Sequence, residues 1–146
     1  MDVLVRPAKG SDTGDMFDIR AAVHENWMGS DDLFSHGSTP VLIRALIEAA
    51  PCAWMAIVNN RAAGFSMVDL EDGVLVGLFV RPECEGRGIG RGLIAQAEDA
   101  LFRRHPQIRL ETRAASRAAR FYAGLGWQIA ARPGDGMIRL TKMRRA

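Results

Sequence analysis

Seven consecutive apolar or glycine residues, Val74-Leu75-Val76-Gly77-Leu78-Phe79-Val80, lead through Arg81-Pro82 into the turn Glu85-Gly86-Arg87-Gly88-Ile89-Gly90-Arg91-Gly92. No other stretch restricts the fold as much. An unbroken apolar run of this length reads as a strand buried on both faces. Beyond the turn, Ile89, Leu93, Ala97 and Leu101 recur at helical spacing, with Gly90 and Ile94 beside them, until His105-Pro106 stops the helix. Ile108-Arg109-Leu110-Glu111-Thr112 is the next strand. A strand joined to a strand through a helix implies a parallel pair.

Simpler units surround this one. Val3-Leu4-Val5-Arg6-Pro7 reads as a short opening strand stopped by proline. Ser11 or Asp12 caps a helix whose apolar positions are Met16, Ile19, Val23 and Trp27, and a polar loop follows over 28–38. Thr39-Pro40 starts a second helix that runs to about Ala50. Ala53–Val58 and Ala63–Leu70 form strands about an Asn59-Asn60-Arg61 turn, and Glu71-Asp72-Gly73 leads into the apolar run as a meander. Past Thr112, a short helix carries Ala118, Phe121, Tyr122 and Leu125, with Gly126 at its end. Trp127–Ala131 and Met137–Thr141 close the chain as two strands about a Pro-Gly-Asp-Gly turn. The expected order is β-α-α-β-β-β-α-β-α-β-β.

The chain's 146 residues fit one domain, 1–146, with a core of its own. Its 19 basic and 17 acidic side chains are unevenly shared. Residues 1–80 hold five basic and eleven acidic groups, a balance of −6, and residues 81–146 hold the other fourteen and six, a balance of +8. Such a partition fits an anionic ligand on the C-terminal half, and equally fits a solvated surface. Cys52 and Cys84 make neither a disulfide framework nor a zinc motif. The opening MDVLVRPAKGSD lacks the basic start and long apolar core of a secretory leader, and no apolar run approaches the ~20 residues of a membrane span. A cytoplasmic setting without membrane partners is expected.

Glycines in the 85–92 turn let backbone approach a ligand closely, and the free N–H groups at the helix start favour anions. Arg87 and Arg91 add charge, so the turn suits a pyrophosphate. Spacing narrows the choice. A Walker loop needs GxxxxGK[ST], and neither of the two lysines, Lys9 and Lys142, lies here. The dinucleotide pattern GxGxxG fails because Arg91 and Leu93 stand where the last glycine is needed.

The turn resembles the cofactor loop of the GNAT superfamily of N-acetyltransferases, in which a strand ending Val-x-Pro precedes [Gln/Arg]-x-x-Gly-x-[Gly/Ala]. Val80-Arg81-Pro82 and Glu85-Gly86-Arg87-Gly88-Ile89-Gly90 carry that likeness. A second hallmark, Asn-x-x-Ala-x-x-Phe-Tyr-x-x-x-Gly-Phe, is similar to Ser116 through Trp127. Glu85 departs from the usual Gln or Arg, and Ser116 from Asn. Beside phosphates, the Glu85 carboxylate must point away or pair with Arg87 or Arg91. The resemblance implies an α+β fold: a mixed, mostly antiparallel sheet of about seven strands flanked by four helices, splayed at a central cleft.

The resemblance further implies acetyl-CoA as cosubstrate, no metal, and acetyl transfer to a primary amine of a small molecule or peptide. The loop Glu85, Gly86, Arg87, Gly88, Ile89, Gly90 and Arg91 would hold the pyrophosphate. Backbone of Leu78, Phe79 and Val80 would pair with the pantetheine arm, with Ser116 capping its helix or bonding that arm. Arg81, Arg117 and Arg120 would reach the 3′-phosphate end. Tyr122, the sole tyrosine, matches the position that protonates the coenzyme A thiolate. Glu111 is the candidate base if it faces the cleft, and a surface ion pair is its alternative; Asp69, Glu71, His24 and His36 are weaker candidates, and a water chain can also take the proton.

Glu25, Asp31, Asp32 and Glu48, beside Trp27, Phe34 and His36, suit a cationic amine and equally a solvated helical face. The arginines lack interleaved aromatics, which argues against nucleic acid. A homodimer through sheet edges or the C-terminal strands stays open. The alternative to an enzyme is a coenzyme A-binding sensor without turnover, suggested by the lack of a carboxylate on the strand 74–80.

Overall fold

The computed structural model describes residues 2–23, 34 and 38–145, and the readings made for His24, Glu25, Trp27, Asp31, Asp32 and His36 lie outside them. Seven strands form one sheet: β1 (Val3–Pro7), β2 (Ala53–Val58), β3 (Arg61–Asp69), β4 (Val74–Val80), β5 (Gln107–Arg113), β6 (Gln128–Gly134) and β7 (Met137–Met143). Four helices accompany it: α1 (Thr13–Ala22), α2 (Pro40–Ala49), α3 (Ile89–Phe102) and α4 (Arg117–Gly124). The sheet order is β1-β2-β3-β4-β5-β7-β6, antiparallel throughout except for the parallel β4–β5 pair. This is the α+β architecture, with its mostly antiparallel seven-stranded sheet, that the resemblance implies. Among the described residues no helix is long and apolar enough to cross a membrane.

Local signals account for most boundaries. Thr39 caps α2 by accepting from the Leu42 N–H at 3.2 Å, with Pro40 in the first turn. Asn59 and Asn60 take φ of 51° and 64° between β2 and β3, the left-handed pair of a tight hairpin. The largest difference from the sequence reading is at the end of the first helix, while β6 runs on to Gly134 and β7 to Met143. α1 stops at Ala22, and Val23 is already extended, with Arg20 donating through Nη1 to the Val23 carbonyl at 2.9 Å.

The core lies on both faces of β2, β3 and β4. One face packs against α3 through Ile89, Leu93, Ile94, Ala97 and Leu101. That approach is close: Ser66 on β3 donates to the Leu93 carbonyl at 3.1 Å, and a Cβ at Gly64 would lie 3.2 Å from Leu93 Cδ1. On the opposite face Phe79 packs on Phe65, Phe65 on Phe34, and Phe34 on Phe17 of α1. His105, just past α3, anchors that end through its 2.7 Å hydrogen bond with the Leu70 carbonyl.

Candidate active site

The parallel pair is where the sheet opens. β4 and β5 share one register position, Val74 with Arg109, beside a 3.0 Å bond from the Arg109 N–H to the Gly73 carbonyl. Past that point the strands part. β4 is irregular at the same place: the β3 register passes from Met67–Gly77 to Val68–Leu75, so Val76 has no partner of its own. Such a bulge bends its strand and reverses the alternation beyond it. The Arg81 N–H still donates to the Ala63 carbonyl on β3 at 2.8 Å. Alternation therefore aims the N–H and C=O of Val80 and Leu78 into the opening, and those of Phe79 toward β3.

A cleft of about 410 Å³ fills this opening on the α3 side, a volume typical of small-molecule sites. Its walls are Leu78 and Val80 of β4, the turn from Cys84 to Gly88, the start of α3 at Ile89, Gly90 and Arg91, and Arg117, Ala118, Phe121 and Tyr122 of α4. Gly86 and Gly88 hold φ of 77° and 78°, and a Cβ on either would meet no protein atom within 4 Å. The turn thus shows bare backbone to the cleft. Gly88 is the N-cap of α3, so the first N–H groups of a 14-residue helix open onto the same space. Gly90 sits differently: a Cβ there would come into van der Waals contact with Phe121 Cζ of α4, at 3.4 Å.

Two charged groups sit at the rim as a pair. Arg117 Nη2 donates to Glu85 Oε2 at 2.6 Å, so the carboxylate pairs with Arg117, and the expectation of Arg87 or Arg91 is corrected. Tyr122 is 1% exposed and lines the cleft while its ring packs edge-on to Phe121 and Trp127. Burial pushes its phenol well above the ordinary value of 10, because phenolate would lose its hydration there. The group is a protonated donor across the working pH range.

The structure brings Leu78, Val80, Glu85, Gly86, Gly88, Ile89, Gly90, Arg91 and Tyr122 together around one cleft. Four sequence candidates stand elsewhere. Phe79 is fully buried on the opposite face, against Phe65 and beneath the Arg20 guanidinium at 4.8 Å. Arg87 turns to a neighbouring hollow beside the β2–β3 turn, lined also by Asn59 and Arg61. Ser116 caps α4, accepting from the Ala119 N–H at 3.0 Å and donating to the Arg113 carbonyl at 2.7 Å.

Glu111 is the fourth. Its neighbours Leu110 and Thr112 are buried, whereas Glu111 faces the other way and accepts from Arg139 of β7 at 2.8 and 3.2 Å. Glu111 is engaged in this ion pair and is not among the residues that line the cleft. Arg81 is likewise engaged, donating through Nε to the Ala62 carbonyl at 2.8 Å. Glu48, offered for a cationic acceptor, pairs with Arg44 at 3.4 Å. Ala118 and Phe121 line the cleft although their helical stripe with Tyr122 reads simply as packing. The signal for them was the same stripe, since the face that packs on α3 also borders the opening.

The site has what a nucleotide-bearing thioester needs: bare glycine backbone for a diphosphate, apolar walls and a strand edge for an extended arm. Among the described residues no three His, Cys, Asp or Glu side chains converge as metal ligands.

Residues 39–146 match the family model described as an acetyltransferase (GNAT) domain. No curated protein matches the chain. Among solved structures, it is similar to the PaiA N-acetyltransferase of Thermoplasma acidophilum in complex with coenzyme A (TM-score 0.77, 14% identity, 99% of this chain and 100% of that one). It is also similar to YncA of Salmonella typhimurium with its cofactor acetyl-CoA (TM-score 0.76, 17% identity, 100% and 97%). A third is the ribosomal-protein-S18-alanine N-acetyltransferase of Escherichia coli (TM-score 0.69, 20% identity, 96% and 92%).

Proposed function

The chain belongs to the GNAT acetyltransferase family, and we propose that it transfers the acetyl group of acetyl-CoA directly to a primary amine of a small molecule or peptide. The observation that carries this reading is the cleft itself. Bare glycine backbone, a helix N-terminus, an unpaired strand edge and a buried phenol all face one 410 Å³ space. Acetyl-CoA, when bound, supplies an acyl thioester.

The backbone N–H groups of the turn from Gly86 to Gly90 hold the diphosphate, with Arg91 and Arg117 at the rim. Leu78 and Val80 hold the pantetheine arm as an added strand, and one of their N–H groups polarises the thioester carbonyl. As the acyl group leaves sulfur, the Tyr122 hydroxyl would hydrogen-bond to the departing thiolate and pass its proton to it, regaining one from solvent as coenzyme A leaves and the cleft opens to water. Phe121, which packs edge-on to Tyr122, gives the cleft an apolar wall beside that hydroxyl. The only carboxylate on the cleft among the described residues, Glu85, is held by Arg117, so the amine gives its proton to solvent through water.

The test follows free thiol release from acetyl-CoA with a panel of polyamines, amino acids and peptide amines. Release with at least one amine is expected, with a pH–rate profile rising toward that amine's own pKa. Coenzyme A binding without release for any amine would leave the sensor reading instead.

A further inference from the structure

Beside the cleft, a polar assembly is embedded among the rings that hold Tyr122. Trp127 stands where the second hallmark has Phe, and it is 3% exposed. A buried indole N–H needs an acceptor that a phenyl ring would not. Glu98 of α3 supplies it: Trp127 Nε1–H donates to Glu98 Oε2 at 3.0 Å. The second oxygen of the same carboxylate, Oε1, accepts from Lys142 Nζ of β7 at 2.8 Å. Glu98 and Lys142 side chains are each 17% exposed, so the bridge is largely shielded from water. Each carboxylate oxygen thus has its own donor, and the indole is fixed in rotation as well as in place.

Among the described residues, that indole is one of two rings packed against the phenol. Its centroid lies 5.8 Å from the Tyr122 ring at 62°, and Phe121 lies 5.3 Å away on another side at 63°. The Trp127 backbone N–H also donates to the Tyr122 carbonyl at 3.1 Å. Tyr122 therefore meets Trp127 at both ends, backbone and ring. Proton donation to a thiolate depends on placing a hydroxyl to within a fraction of an ångström. α3 and β7 would stay bridged by Lys142 without any bond to the indole, so the Trp127 bond adds orientation to what the ion pair already provides.

We infer that Glu98 is a positioning residue for the Tyr122 hydroxyl, acting through the Trp127 ring. The inference rests on the reading of Tyr122 as proton donor, and the experiment separates the two. Glu98→Gln, Trp127→Phe and Tyr122→Phe are compared singly, and each of the first two is combined with the third. Glu98→Gln and Trp127→Phe should each lower kcat roughly ten-fold while leaving KM for acetyl-CoA within about two-fold. In the Tyr122→Phe background neither should lower kcat further, because a positioned group that is gone cannot be misplaced.

A fluorinated tyrosine gives a readout apart from activity, since Tyr122 is the only tyrosine in the chain. Its single fluorine resonance should shift or broaden in Glu98→Gln. Falls in kcat that multiply in the double variants, or an unmoved resonance, would overturn the positioning role. Unchanged kcat in Tyr122→Phe would instead remove the donor reading and the positioning inference with it.

Discussion

Gly88→Ala separates the cost of a backbone conformation from the cost of blocking a ligand. At φ 78° an L-residue is strained by roughly 1–2 kcal/mol, and no neighbouring atom within 4 Å adds a clash. At about 4 °C per kcal/mol for a domain this size, the free protein should melt about 4–8 °C lower. The new methyl would stand in the open space that the N-cap backbone faces, where the diphosphate is proposed to lie. With coenzyme A at a hundred times its Kd, the wild-type protein should gain about 2.7 kcal/mol, or about 11 °C. A hundred-fold loss of affinity leaves about 0.4 kcal/mol, a shift of about 2 °C. Gly136→Ala in the β6–β7 turn is the control: φ is 76° and its Cβ site is equally open, but it lies far from the cleft in sequence and outside its lining. It should lose similar stability and keep the full coenzyme A shift. Differential scanning fluorimetry of the three proteins decides, and a full shift in Gly88→Ala would refute the loop as the diphosphate site.

Tyr122→Phe should lower kcat about a hundred-fold while the coenzyme A thermal shift persists; steady-state kinetics and fluorimetry check both halves. Because burial raises the Tyr122 pKa above 10, the unfolded chain releases this proton first, so stability is full below pH 10 and falls as pH rises beyond it. An alkaline titration should show tyrosinate absorbance appearing with unfolding rather than before it, and a normal titration of the folded protein would contradict the burial. Asp12 works in the opposite sense: its carboxylate takes bonds from Arg6 at 2.8 and 3.0 Å and from the Lys9 N–H at 2.7 Å, chiefly Arg6 holding its pKa below 3.8. That contribution is present above pH 3.8 and is lost as pH falls through the lowered value; Asp12→Asn should cost roughly 2 kcal/mol near neutrality in urea melts, with the gap from wild type closing in acid.

The glycine turn, the parallel crossover and the order of elements were all legible because each rests on local rules: an apolar run, helical spacing, Gly at a positive φ. What escaped the sequence depends on partners far along the chain. The run from Val74 to Val80 is apolar on both faces, so nothing in it marks the bulge at Val76 that decides which residues face the opening. The resemblance implies backbone contacts from Leu78, Phe79 and Val80 alike, whereas strand alternation turns the Phe79 backbone toward β3. Glu111 finds Arg139, and Glu85 finds Arg117, across 28 and 32 residues respectively, through register and loop closure that no short motif encodes. Ser116 is legible as a cap from its place before the helix, and its hydroxyl bonds the Ala119 N–H and the Arg113 carbonyl.

That β4 and β5 share only the register position of Val74 and Arg109 has a mechanical consequence. It divides the sheet into two blocks, β1–β4 and β5–β7, each contiguous in sequence and each internally well paired. The same seam separates the acidic part of the chain from the basic part. A ligand lying along Leu78 and Val80 while touching α4 spans both blocks and acts as a removable rung. With coenzyme A in the cleft, amide exchange should slow first on either side of that seam.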